Sequence, residues 1–257
     1  MIKLEILILI VLLGLPSTSM AQDSQTGFLD RSITIGESEF DYQVFVPRDY
    51  DAQKEWPVVL FLHGIGERGS DGLAQTDTGL GTSIRKYSDR WPLIAIFPQV
   101  PDNMSWQGLP SEIAIATLDA AIDEFSVDES KVYLTGLSLG GNGVWYVSYN
   151  NPERFAAIVP ICGFVQIPQR VPSFLPDSSE DVYHDLALRI ADTPVWIFHG
   201  DADTVVSVDE SRKMAAALDS VGGNVRYTEF PDIGHNAWDP AYSMEELASW
   251  LLQQRKK

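Results

Sequence analysis

From residue 39 to 46, Phe40, Tyr42, Val44 and Val46 alternate with Glu39, Asp41, Gln43 and Phe45. A period of two marks a strand with a covered face. Ile33-Thr34-Ile35 lies upstream across the turn-prone Gly36-Glu37-Ser38, so the two segments predict an antiparallel hairpin. Afterwards the pattern changes to short, continuous apolar runs at 57–62, 92–97, 132–134, 156–161 and 194–198. Strands apolar on both faces belong to a parallel sheet covered by helices on each side. Ile115, Leu118, Ile122 and Phe125 share one face of a helix over about 112–125. Ser207 with Glu210, and Ser243 with Glu246, have the spacing of capping boxes that open helices. Met244, Leu247, Ala248 and Leu251 form the apolar stripe of the last helix. Strands alternating with helices predict a doubly wound α/β sheet, here preceded by a hairpin. The pattern breaks at 163–193, where Pro168, Pro172 and Pro176 precede the acidic run 177–181, and this stretch is expected to be an insertion on the sheet.

Composition narrows the picture. A chain of 257 residues, 45% hydrophobic and 21% charged, suits one sizeable α/β domain. Lys3, the apolar block 6–15 and the small-residue site Ser19-Met20-Ala21 predict a signal peptide over 1–21, leaving a single domain over 22–257. That block is short for a bilayer span, so no stable membrane insertion is expected after cleavage, and the destination is the periplasm or the medium. A net charge of −18 should repel nucleic acid. The one cysteine, Cys162, allows no intramolecular disulfide, and its apolar surroundings favour an inert buried thiol.

The candidate chemistry centres on "VYLTGLSLGGNGVW", residues 132–145, where a strand runs through Gly136-Leu137-Ser138-Leu139-Gly140 into a helical stretch. G-x-S-x-G at such a turn lifts a serine hydroxyl out of the sheet at a helix N-terminus, and the glycines make room for the strained backbone. A serine needs a base. Of His63, His184, His199 and His235, only His235 follows the serine in a loop before the last helix, matching the order Ser, acid, His along the chain. Between them, "HGDADTVV" offers both Asp201 and Asp203 at a strand end. No further ligands accompany this D-x-D at metal spacing. The loop "HGIGERG" contains a G-x-G-x-x-G, yet Ser70-Asp71-Gly72 follows instead of a helix, and the next strand ends in Phe97-Pro98-Gln99 without a carboxylate. Those features exclude a dinucleotide site.

Together "LFLHGIGERG", "VYLTGLSLGGNGVW", "ERFAAIVPICG", "PVWIFHGDADTVV" and "GHNAWDPAYS" resemble the α/β-hydrolase esterases of the phospholipase/carboxylesterase and dienelactone-hydrolase-like group. The likeness is strongest to its secreted branch of predicted peptidases and feruloyl- or acetylxylan-esterase-like proteins, and it spans about residues 40–253. It implies an α/β-hydrolase fold with Ser138 as nucleophile, Asp203 as acid and His235 as base, Asp201 being left to shape the turn. It also implies an oxyanion hole at the His63 loop, built from the backbone N–H groups of Ile65 and Leu139. The implied activity is cleavage of small-molecule or polysaccharide-linked carboxylic esters through an acyl-enzyme, with no metal or organic cofactor. Alternatives are a serine peptidase on the same scaffold and a non-catalytic binding protein. Segment 163–193, longer and richer in proline than that family's, would roof the acyl or alcohol pocket. Trp106 and Trp238 are rim candidates for stacking on a sugar or aryl group, though ordinary packing explains them as well.

Overall fold

A computed structural model describes residues 25–166, 171, 173–175 and 179–256. The expected signal peptide lies outside these residues, as do parts of the segment 163–181. Among the described residues no helix is long and apolar enough to cross a membrane.

The hairpin pairs β1 (Gly27–Ile35) with β2 (Ser38–Val46). The remaining strands are β3 (Trp56–Leu62), β4 (Ile94–Pro98), β5 (Val127–Leu137), β6 (Ala157–Ile161), β7 (Val195–Gly200) and β8 (Val225–Phe230). They form one sheet in the order β1-β2-β4-β3-β5-β6-β7-β8. Its first two pairings, β1/β2 and β2/β4, are antiparallel, and every later pairing is parallel.

Helices cover both faces. On one side lie α2 (Leu109–Glu124), α3 (Leu139–Asn150), α4 (Val182–Ile190) and α5 (Asp209–Ser220). On the other lie α1 (Leu80–Lys86), α6 (Trp238–Ser243) and α7 (Glu245–Gln253). The two layers explain the unbroken apolar runs. Along β3, Val58, Leu60 and Leu62 enter one core and Val59 and Phe61 the other, all five without solvent exposure. Burying each such side chain contributes about 1.5–3 kcal/mol, so a polar residue at any of them costs more than an alternating strand would suffer.

Local signals differ from the sequence expectation in instructive ways. Helix α2 starts at Leu109 instead of near 112, because Pro110 occupies the first turn, where its missing N–H is not needed. Neither predicted capping box forms. The Glu210 carboxylate instead accepts from the Val165 amide at 3.0 Å and the Tyr183 hydroxyl at 2.8 Å. Ser243 belongs to the end of α6, and Glu246 accepts from Arg226 at 2.9 Å. Within 163–193, residues 182–190 are α4, the crossover that a parallel β6/β7 pair requires. Asp181 caps it, its carboxylate accepting from the Tyr183 and His184 amides at 3.1 Å each.

Candidate active site

Strand β5 meets α3 at Ser138, whose backbone is held at φ 53°, ψ −115°. A non-glycine residue there stores about 1–3 kcal/mol, sustained only by surroundings that permit nothing else. Those surroundings are backbone. A side chain at Gly136 would lie 2.5 Å from Gly140 O and 2.8 Å from Leu62 O, and one at Gly140 would overlap Leu62 O. The glycines therefore let α3 press onto the end of β3. The Ser138 amide donates to Ile161 O at 2.9 Å, which ties the elbow to β6 as well.

His235 arrives from the loop between β8 and α6. His235 Nε2 lies 2.8 Å from Ser138 Oγ, and Nδ1 lies 2.7 Å from Asp203 Oδ2. With Nδ1–H donating to the carboxylate, Nε2 presents a lone pair to the serine hydroxyl. The loop is docked by Ala202 N donating to Ile233 O at 3.0 Å. Asp201 Oδ1 also accepts from Asp232 N, at 2.7 Å, so this carboxylate shapes the turn while Asp203 meets the imidazole. Gly200 permits the approach, since any side chain there would overlap Ile233 O.

Asp203 has no exposed side-chain surface. Its Oδ1 accepts from the Val205 and Val206 amides at 2.8 and 3.0 Å, and Oδ2 accepts from His235 at 2.7 Å and from His199 Nε2 at 3.1 Å. Burial pushes this carboxyl toward the neutral form, but the His235 bond and the two amides outweigh it and hold the group below the usual aspartate range.

The His63 loop runs alongside. A side chain at Gly64 would come 3.7 Å from Ser138 Cβ, which places the Gly64–Ile65 backbone beside Ser138. Ile65 opens a 3-10 turn and Leu139 opens α3, so both N–H groups are among those that helix starts leave unpaired. His63 is fully buried; its Nδ1 lies 2.6 Å from Gly64 O, and its Nε2 accepts from Val100 N at 2.9 Å. Burial lowers its pKa to about 4, so it is a neutral strut. Gln99, unmarked by any sequence signal, clamps the outer loop by donating to Glu67 O and Asp71 Oδ1 at 3.0 Å each and accepting from Gly72 N at 2.9 Å.

The two tryptophans part company. Trp106 is 0% exposed; its indole N–H donates to His63 O at 3.0 Å, and its ring packs edge-on to the His63 ring. Gly143 leaves the space it fills. The expectation that Trp106 stacks on substrate is therefore corrected: it supports the loop from below and offers no free face. Trp238 is half-buried, with its ring 5.3 Å from that of His235 at 88°.

Among the described residues, one set of potential metal ligands converges here: Cys162, His199 and Asp203 place donor atoms within 4.8 Å of one another. Each already has protein partners. The Cys162 thiol donates to His235 O at 3.2 Å, and burial pushes its pKa up to about 12, which leaves it protonated. His199 uses both ring nitrogens. The set reads as a hydrogen-bond network around the Asp203 carboxylate.

Residues 111–253 match the phospholipase/carboxylesterase family model. An uncharacterized secreted protein of Arthroderma benhamiae is 26% identical over 73% of this chain, which spans only 22% of that relative's length. A thermostable esterase of known structure is 33% identical, with a TM-score of 0.76, over 89% of this chain and 63% of its own. A ferulic acid esterase, 17% identical over 89% of this chain and 98% of its own with a TM-score of 0.67, shares the fold. With its family match covering more than half of the residues, a mostly parallel eight-stranded sheet and this serine elbow, the chain belongs to the phospholipase/carboxylesterase family and has the α/β-hydrolase fold.

Proposed function

We propose that the protein is a serine esterase that cleaves carboxylic esters through an acyl-enzyme, with Ser138 as nucleophile, His235 as base and Asp203 as acid. One observation carries this reading: an unbroken line from Ser138 Oγ to His235 Nε2 at 2.8 Å and from His235 Nδ1 to Asp203 Oδ2 at 2.7 Å. His235 takes the hydroxyl proton as Ser138 attacks the ester carbonyl, and Asp203 holds the tautomer and offsets the imidazolium charge. The Ile65 and Leu139 N–H groups receive the developing oxyanion, each contributing about 3 kcal/mol to the transition state. His235 then protonates the leaving alcohol and activates the water that releases the acid.

For the substrate class, we propose a carbohydrate-linked or aryl ester of the acetyl or feruloyl type. Support comes from the half-buried Trp238 ring beside the base and from the fold shared with a ferulic acid esterase. The net charge of −18 disfavours polyanionic substrates. The proposed setting is outside the cytoplasm, following cleavage after Ala21. A screen of purified protein against short acyl esters, feruloyl esters, acetylated xylan and peptide anilides tests this reading. Turnover of esters but not anilides is expected. Anilide cleavage at comparable efficiency would replace the esterase with a peptidase.

A further inference from the structure

The Asp203 carboxylate has two imidazole partners, and the Ser-His-Asp mechanism uses only one. His199, the penultimate residue of β7, has no solvent exposure. Its Nε2 lies 3.1 Å from Asp203 Oδ2 and 3.1 Å from Val206 O, while Nδ1 lies 2.7 Å from the Ser211 hydroxyl on α5. Two acceptors face Nε2, so that nitrogen carries the proton, and Nδ1 accepts from Ser211. The ring is thus fixed at three points and places a neutral N–H donor on the same oxygen that His235 holds from the other side.

We propose that His199 is a positioning residue of the esterase site, a buried neutral donor that fixes the Asp203 rotamer and, by sharing Oδ2, restrains how strongly the carboxylate favours protonated His235. This inference rests on the serine-esterase reading above. A carboxylate oxygen that accepts two N–H bonds concentrates less charge on either partner than one that accepts a single bond. Without His199, His235 would be the sole imidazole donor and its imidazolium would be favoured more. The base would then stay protonated, and inactive, to higher pH. Burial independently lowers the pKa of His199, consistent with a ring that stays neutral.

Other groups around the pair leave His199 as the adjustable partner. From the end of β6, the Cys162 thiol is held protonated by burial and bonds to His235 O. From β8, Glu229 pairs in register with His199, but its carboxylate is engaged by Arg212 at 2.7 and 2.9 Å and by Tyr227 at 2.6 Å. On α5, Ser211 bonds His199, and the adjacent Glu210 bonds Val165 and Tyr183. In the turns, Asp201 bonds the Asp232 amide, and on the elbow Ser138 meets the far side of His235.

The test is the pH profile of kcat/KM for p-nitrophenyl acetate over about pH 5–9, with the active-site concentration fixed by fluorophosphonate titration. His199→Phe is expected to move the acid limb to higher pH by about half a unit and to lower the plateau about tenfold, the scale of one lost hydrogen bond. His199→Gln, whose amide nitrogen reaches the position of Nε2, is expected to return the limb to its wild-type place. A purely structural role would lower the plateau or the melting temperature with the limb unmoved, and that result overturns the proposal. Should His199→Phe fail to fold, Ser211→Ala decides, because it frees Nδ1 and lets the ring turn. Its limb is expected to shift the same way by a smaller step, and an unmoved limb there also overturns the proposal. Wild-type protein that neither hydrolyses esters nor labels would refute the esterase reading and this inference with it. An active wild type with an unmoved limb in the variants refutes only the inference.

Discussion

Asp203→Asn removes one charge and changes almost no volume, which makes it the sharpest perturbation of the site. The wild-type carboxylate accepts four hydrogen bonds, two amides on Oδ1 and two imidazoles on Oδ2. An asparagine cannot satisfy all four donors in either orientation. With its NH2 toward Val205 and Val206, donors face donors and the turn loosens; with its NH2 toward the imidazoles, His235 must move its proton to Nε2. That tautomer points N–H at Ser138 Oγ and cannot accept the hydroxyl proton. In either orientation the charge that offsets the imidazolium is gone. In a Ser-His-Asp triad this change lowers kcat by about 10⁴-fold, or about 5.5 kcal/mol. The unpaired donors should also cost about 1–3 kcal/mol of stability. The assay is kcat on p-nitrophenyl acetate near neutral pH, alongside thermal melting to confirm folding. A folded Asp203→Asn variant within about tenfold of wild type would refute the assigned role, since the triad arithmetic leaves no room for so small a loss. Asp201→Asn serves as the matched control, because an asparagine oxygen can still accept from the Asp232 amide, and it should change kcat little.

Two further outcomes follow from packing and burial. Gly140→Ala would drive a methyl into Leu62 O and, at 2.7 Å, toward His63 O, so α3 must lift from β3. We expect a loss of about 1–3 kcal/mol in chemical denaturation and a collapse of kcat with binding less affected; a fully active, fully stable variant would contradict the close-packed elbow. His63, held neutral with a pKa of about 4, is depressed below its unfolded value, so between that pH and about 6.5 the unfolded chain binds the extra proton. Its contribution is whole above that window and declines by about 3 kcal/mol as pH falls through it. His63→Gln keeps an acceptor for the Val100 amide without titrating, so its stability relative to wild type should improve by that amount from pH 7 to 4. A constant difference across the window would show that His63 does not titrate in this way.

Much of the architecture was readable because its causes are local. The runs in β3, β4 and β6 are apolar on both faces, and only a doubly covered sheet produces that pattern. The elbow was readable because glycine, any residue, serine, any residue, glycine between a strand and a helix is a short pattern, although the backbone that demands Gly140 belongs to the distant Leu62 and His63. The failures trace to distant partners. Glu210 and Glu246 have capping-box spacing, but Tyr183 with Val165, and Arg226, attract them more strongly across the fold. Trp106 sits among polar loop residues, yet its ring turns inward over Gly143, a pairing 37 positions apart that no short-range pattern records. The residue pattern could not divide the work of Asp201 and Asp203. That division depends on how closely the Ile233 backbone approaches Gly200. Nothing in the sequence marks the buried bonds of His199 to Asp203 and Ser211, which form only once α5 packs against β7.

Intact-protein mass spectrometry of wild-type protein quenched during turnover of a slowly deacylating aryl ester, followed by peptide mapping, decides whether Ser138 carries the acyl group. The mass of one acyl group is expected on the peptide carrying Ser138, absent from Ser138→Ala. Hydrolysis that proceeds with no acyl adduct, or with the adduct on another residue, would contradict that expectation.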